Sequence, residues 1–121
     1  MSDPAESSVL DPETIASLKE LGGEDDPGLF ADLVDIFLSE TPKLMAQMRA
    51  ALASGDLAAL ERAAHSLKSS SANLGACALS GLLRDLELAG RQRDLDHARP
   101  LVGRVDDEYP RVERALKALV E

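Results

Sequence analysis

The sequence predicts an all-α fold: an antiparallel up-down-up-down four-helix bundle with an additional short N-terminal helix. Three observations carry that expectation. Hydrophobic residues make up 45% of the chain but aromatics only 2%, so the core must be built from Leu, Ala and Val, whose sizes suit closely packed helices. The β-branched and aromatic residues that favour strands are scarce. Apolar residues recur at helical spacing between short breaks, and short loops between long amphipathic helices make sequential helices antiparallel neighbours.

Residues 1–8 are small and polar and read as a flexible lead-in, leaving residues 9–121 as a single domain. Asp11-Pro12-Glu13 supplies an N-cap aspartate with proline at the first helical position, and Ile15, Leu18 and Leu21 follow until Gly22-Gly23 stops the segment. Asp26-Pro27 repeats the start signal ahead of a strong stripe of Leu29, Phe30, Leu33, Val34, Phe37 and Leu38. Pro42 cannot donate an interior helical hydrogen bond, so a break or kink is expected there, with Thr41 as a new N-cap. Leu44, Met45, Met48, Ala51 and Leu52 continue to Ser54-Gly55, and Asp56 caps the next helix. Gly75 ends that helix; a further one runs from about Cys77 to Ala89, and Gly90-Arg91-Gln92-Arg93 reads as a turn. The last segment starts at Asp94 and carries Pro110 as an expected kink.

The formal net charge of −9 and pI of about 4.6 repel phosphate backbones and anionic lipid surfaces, so neither nucleic acid nor membrane is an expected partner. No apolar run reaches the length of a membrane span, and Met1 to Glu6 has neither the basic nor the apolar region of a signal peptide. The single cysteine, Cys77, cannot form an internal disulfide and reads as a small apolar residue, which suits a reducing compartment. A cytoplasmic monomer is expected.

Chemistry is best sought on the helix between Asp56 and Leu74. At about 100° per residue, Leu57, Leu60, Ala64, Leu67, Ser71 and Leu74 cluster on one face, and His65 falls roughly 130° from its centre. His65 should therefore point outward, with Glu61, Lys68, Ser69 and Ala72 as helical neighbours. The short side chains of Ala58, Ser69 and Ala72 would leave the imidazole standing clear, and Lys68 would attract an anion held at it. An ordinary surface histidine fits the same spacing, and the small-residue run fits close helix approach. Position alone makes His65 a candidate. His97, in Asp94-Leu95-Asp96-His97, has no metal-ligand spacing to His65, and the acids at 24–26 and 106–108 read as solvated surface.

The segment Ala64-His65-Ser66-Leu67-Lys68-Ser69-Ser70-Ser71-Ala72-Asn73-Leu74-Gly75-Ala76 resembles the signature of the histidine-phosphotransfer (HPt) domain family. That pattern runs alanine-histidine-x-leucine-lysine-glycine, then small residues, then asparagine-leucine-glycine. Phe37-Leu38 resembles the family's preceding helix, and Leu86-Glu87 with Gly90-Arg91 its following one, so the resemblance spans about residues 10 to 120.

The resemblance implies that His65 is the phosphoacceptor, attacking through Nε2 an aspartyl phosphate on a response-regulator receiver domain and passing the group to a second receiver. A neutral imidazole is a competent nucleophile near neutral pH. Lys68 would offset the phosphoryl charge. Glu87 stands where the family often has a glutamine facing the imidazole, and would orient the ring; the alternative is a solvated surface acid. Arg84 is a further flanking candidate. Ser69 occupies the close-approach position where the family usually has glycine.

The chain shows no Gly-rich phosphate loop, nucleotide-binding motif or acidic Mg²⁺ site, so the resemblance implies a carrier rather than an enzyme. No cofactor is expected on this chain, and Mg²⁺ is expected on the partner receiver. The implied partners are receiver domains and a hybrid histidine kinase. One alternative is a helical interaction module of HPt fold that binds receivers or kinases without phosphotransfer. Another is the phosphoacceptor domain of a chemotaxis-type kinase. A start at Met1 and an end at Glu121 favour a stand-alone protein.

Overall fold

The computed structural model describes residues 9–120, and the lead-in expected at residues 1–8 lies outside them. Five helices follow one another: α1 (Pro12–Gly22), α2 (Leu29–Ser54), α3 (Leu57–Asn73), α4 (Cys77–Arg91) and α5 (Leu95–Val120). Helices α2 to α5 form the up-down-up-down bundle. Helix α1 is the additional N-terminal element and lies against α2. The most extensive helix pair is α3 with α4, the pair that builds the site.

Local chemistry accounts for most of the boundaries. Pro12 opens α1, where its missing N–H costs nothing. The Asp11 carboxylate accepts from the Thr14 hydroxyl at 2.6 Å, and this contact holds its pKa below the usual carboxylate range. The Asp56 carboxylate accepts from the Ala59 N–H at 3.1 Å, capping α3 as expected. Gly55 and Gly75 close the turns on either side of α3 with φ of 75° and 76°, a left-handed conformation that favours glycine. Gly75 also receives α1: its carbonyl accepts from the Asp11 N–H at 2.8 Å, and a Cβ there would lie 3.1 Å from that of Thr14. Asp94 caps α5, accepting from the His97 N–H at 3.1 Å.

Three boundaries differ from expectation. Helix α2 begins at Leu29, beyond Asp26-Pro27, because the chain first makes a turn in which Leu29 N–H donates to the Asp26 carbonyl. The same helix runs unbroken through Pro42. Thr41 caps nothing; it is buried, and its hydroxyl donates back to the Phe37 carbonyl at 2.6 Å. The Pro42 ring faces solvent, where water can satisfy the Leu38 carbonyl that the missing N–H leaves unpaired. Helix α5 carries Pro100 and Pro110 inside it, the second at the position expected within the last helix.

The third difference bears on the site. Gly90 and Arg91 belong to α4, and the reversal follows at Gln92 and Arg93, with Arg93 at φ 58°. Gly90 is buried where α4 crosses α3. A Cβ on it would meet the Leu57 carbonyl at 3.1 Å and the Glu61 backbone nitrogen at 3.2 Å. It is an approach glycine rather than a turn glycine, and it brings the two backbones close enough for their side chains to meet one turn away. The core runs through the bundle as one cluster, with Val34, Leu60, Ala64, Leu67, Leu79, Leu83, Leu86, Val105, Val112 and Leu116 fully buried.

Candidate functional site

The side of α3 turned from the core carries His65, whose side chain is 61% exposed. Next to it in the chain, Ala64 is fully buried, and one turn on Leu67 is too. The apolar face therefore fixes the rotation of the helix, and that rotation sets His65 outward. Ala58, Ser69 and Ala72 are exposed beside it and short.

Glu87 of α4 organises the site. Its residue is only 6% exposed, yet it keeps its charge because its two oxygens are claimed by different partners. Oε2 accepts from Lys68 Nζ at 2.6 Å, and Oε1 lies 2.7 Å from His65 Nδ1. The Lys68 hydrogen bond is the leading cause that holds the Glu87 carboxyl below its ordinary pKa; burial pushes the other way, and the His65 hydrogen bond adds to the lowering. An ionised carboxylate can only accept, so Nδ1 must donate. In the neutral ring this fixes the tautomer: Nδ1 carries the proton, and Nε2 keeps the unshared pair.

Arg91 completes the network and was not singled out by the sequence. Its Nε donates to Glu61 Oε1 at 3.1 Å, and a terminal nitrogen donates to Glu87 Oε1 at 3.4 Å. Arg91 thus ties together the acid one turn before His65 and the acid facing the ring. Arg84, the expected flanking cation, lies elsewhere. It is 3.8 Å from Asp85 and borders the groove between α4 and α5 with Arg104 and Asp107. The Arg91 signal was present in the sequence as the i+4 partner of Glu87, but choosing between i−3 and i+4 required knowing which side of α4 meets α3.

The Ser69 hydroxyl donates to the His65 carbonyl at 3.2 Å, folding back along the helix rather than toward the ring. The Lys68 carbonyl also accepts from Ser80 of α4 at 3.3 Å, a second tie between the two helices. His97 is exposed near the start of α5, and Cys77 is exposed at the first position of α4. Among the described residues, no group of three or more His, Cys, Asp and Glu side chains is arranged to hold a metal ion. No helix among them is long and apolar enough to cross a membrane.

Five helices among the described residues, with an outward histidine and a lysine one turn on, fit the plan of a phosphotransfer bundle, and comparison with known proteins agrees. The family model described as Hpt domain matches residues 32–117. This chain belongs to the Hpt domain family. Its structure is similar to histidine-containing phosphotransfer protein B (HptB) from Pseudomonas aeruginosa PAO1, with a TM-score of 0.84 and 33% identity over 97% of this chain and 95% of that one. ZmHP2 from maize matches with a TM-score of 0.83 and 22% identity over 94% of this chain and 84% of that one. MtHPt2 from Medicago truncatula gives 0.82 and 21% over 96% and 80%. At those identities the two plant proteins speak to the fold alone. No curated protein gives a significant sequence match.

Proposed function

We propose that this histidine-phosphotransfer protein is a phosphoryl carrier in which His65 takes the group from a receiver-domain aspartyl phosphate, or from a partner kinase, and passes it to another receiver. The observation that carries the reading is the tautomer set by Glu87. With Nδ1 donating to Oε1 at 2.7 Å, the nucleophilic pair sits on Nε2 of a ring that is 61% exposed and open to an incoming domain. Lys68, one turn along and held on the carboxylate that faces the ring, supplies a cation for the phosphoryl group, and Ser69 keeps the approach clear.

Membership of the Hpt family and the likeness to HptB support the same role. The chain acts as carrier and substrate. Phosphoryl transfer leans on a metal and its supporting charges, and the receiver supplies both, with its Mg²⁺. Receiver domains and a hybrid histidine kinase are the partners.

The test is transfer itself. Incubated with a phosphorylated receiver, the protein should take up label that is acid-labile and base-stable, and His65→Gln should take up none. Label that persists in His65→Gln would remove His65 as the phosphoacceptor, and its absence from the native chain would leave only a binding module of the same shape.

A further inference from the structure

We propose that Glu87 keeps the Nδ1 proton on His65 after phosphorylation as well as before it, which makes the phosphorylated protein a ready donor at neutral and mildly alkaline pH. This rests on the phosphocarrier reading and concerns the outgoing step rather than the capture of the group.

The chemistry of the outgoing step sets the requirement. When phosphorylated His65 discharges, the P–N bond breaks and its electron pair returns to Nε2. A new P–O bond forms to the acceptor, a carboxylate oxygen of a receiver or a water that then loses a proton. If Nδ1 is protonated, the ring begins as a cation and leaves as neutral imidazole. If Nδ1 is bare, the ring must leave as an imidazolate, a far poorer leaving group. A phosphorylated histidine is therefore a good donor only while something holds a proton on its other nitrogen.

The structure holds it there. Glu87 Oε1 stands 2.7 Å from Nδ1, on a residue only 6% exposed, where solvent screens the interaction weakly. A neutral acceptor could take the same hydrogen bond but could not offset the positive ring. A bare Nδ1, in contrast, would set its lone pair against a carboxylate. The charged groups linked to the ring are Glu87 of α4, which touches it, Lys68 of α3 and Arg91 of α4, which touch Glu87, and Glu61 of α3, which holds Arg91. Lys68 and Arg91 oppose a ring cation. Both, however, are held on acids, Lys68 by Oε2 and Arg91 mainly by Glu61; Arg91 reaches Oε1 only at 3.4 Å, so the short contact of Oε1 is the one with Nδ1 at 2.7 Å. Should Lys68 swing to the phosphoryl group, Oε2 loses its cation and the hold of Oε1 on the Nδ1 proton strengthens.

The experiment uses the full chain charged with phosphoramidate, a small donor that needs no receiver. Native protein, Glu87→Gln and Glu87→Asp are charged and freed of donor. Ring nitrogen NMR then follows the Nδ1 proton while phosphorus NMR follows loss of the group, from about pH 6 to about pH 9. The Nδ1 proton of phosphorylated His65 should persist to higher pH in the native protein than in Glu87→Gln, with about tenfold greater proton affinity. The inflection in the discharge rate should move with it, so that native protein outpaces Glu87→Gln only toward the alkaline end. Glu87→Asp should restore part of the shift. A Glu87 whose role is only structural would alter the melting temperature and leave both profiles superimposed, and superimposed profiles overturn the proposal. If a phosphorylated receiver transfers nothing to His65, the carrier reading falls and this inference with it, a result distinct from superimposed profiles.

Discussion

Ala64 and His65 are adjacent in the chain, yet they belong to two faces of α3 that obey different rules. The inner face, Leu60, Ala64, Leu67 and Ser71, is buried, and its worth lies in shape and volume. The outer face, His65, Lys68 and Ser69, ranges from half-buried to exposed, and its worth lies in which atom carries which proton. The faces are coupled only through rotation: the core chooses the angle of the helix, and that angle decides that the ring meets solvent while its Nδ1 meets Glu87. Substitutions on the inner face should therefore read out as stability, and those on the outer face as chemistry.

The largest effect on stability should come from Leu67→Ala. Leu67 is fully buried between the helices, so its truncation should cost about 2–5 kcal/mol in denaturant unfolding. If the comparison holds, the fraction of this variant that stays folded should still accept phosphoryl at the native rate. Loss of transfer in folded Leu67→Ala would show that the faces are not separable.

Gly90→Val attacks a point where α4 presses on the backbone of α3. A side chain there would press on the Leu57 carbonyl and the Glu61 backbone nitrogen, at 3.1 Å and 3.2 Å from its Cβ. Backbone atoms cannot step aside, so α3 and α4 must separate, at a cost of about 1–3 kcal/mol. Because Glu87 sits one turn before Gly90, the same separation should stretch its contacts with His65 and Lys68. Stability and transfer should fall together, measured by thermal melts and by label uptake.

How much of this was legible in the sequence follows from the same division. The inner face was read from apolar periodicity, and the caps at Pro12 and Asp56 from local chemistry that tertiary packing does not alter. Pro42 misled because an isolated helix would break there, whereas in the bundle the buried Thr41 and Phe37 hold the backbone and turn the proline to solvent. Gly90 looked like a turn residue because a glycine needed for close approach and a glycine needed for a turn are the same letter. The site was legible through its motif on α3 and blurred on α4. Glu87 was reachable by family likeness, but Arg91 depended on how α4 is rotated against α3, and no spacing within α4 reveals that.

A smaller effect should appear on acidification. Glu87 has its folded pKa lowered below its ordinary value of 4.5, chiefly by Lys68. A depressed carboxylate contributes stability above its unfolded pKa and loses it as pH falls through the folded value. The stability advantage of native protein over Glu87→Gln should thus be constant near neutrality and shrink below about pH 4.5. A difference that stays flat through the acid range would mean that the charge of Glu87 is not what the bundle gains from it.

The smallest effect on stability should come from the residue with the largest effect on function. His65 is 61% exposed and adds no apolar contact to the core, so His65→Gln should shift unfolding by no more than about 0.5 kcal/mol. Its one structural bond is to a carboxylate that Lys68 and Arg91 continue to hold, so no buried charge is stranded when the ring is removed. Transfer, in contrast, should vanish, because no other side chain beside Glu87 offers an unshared nitrogen pair. A variant that melts with the native protein and carries no label would separate the two faces within one pair of neighbouring residues. A loss of several kcal/mol would instead make the imidazole part of the scaffold and Glu87 its buried anchor.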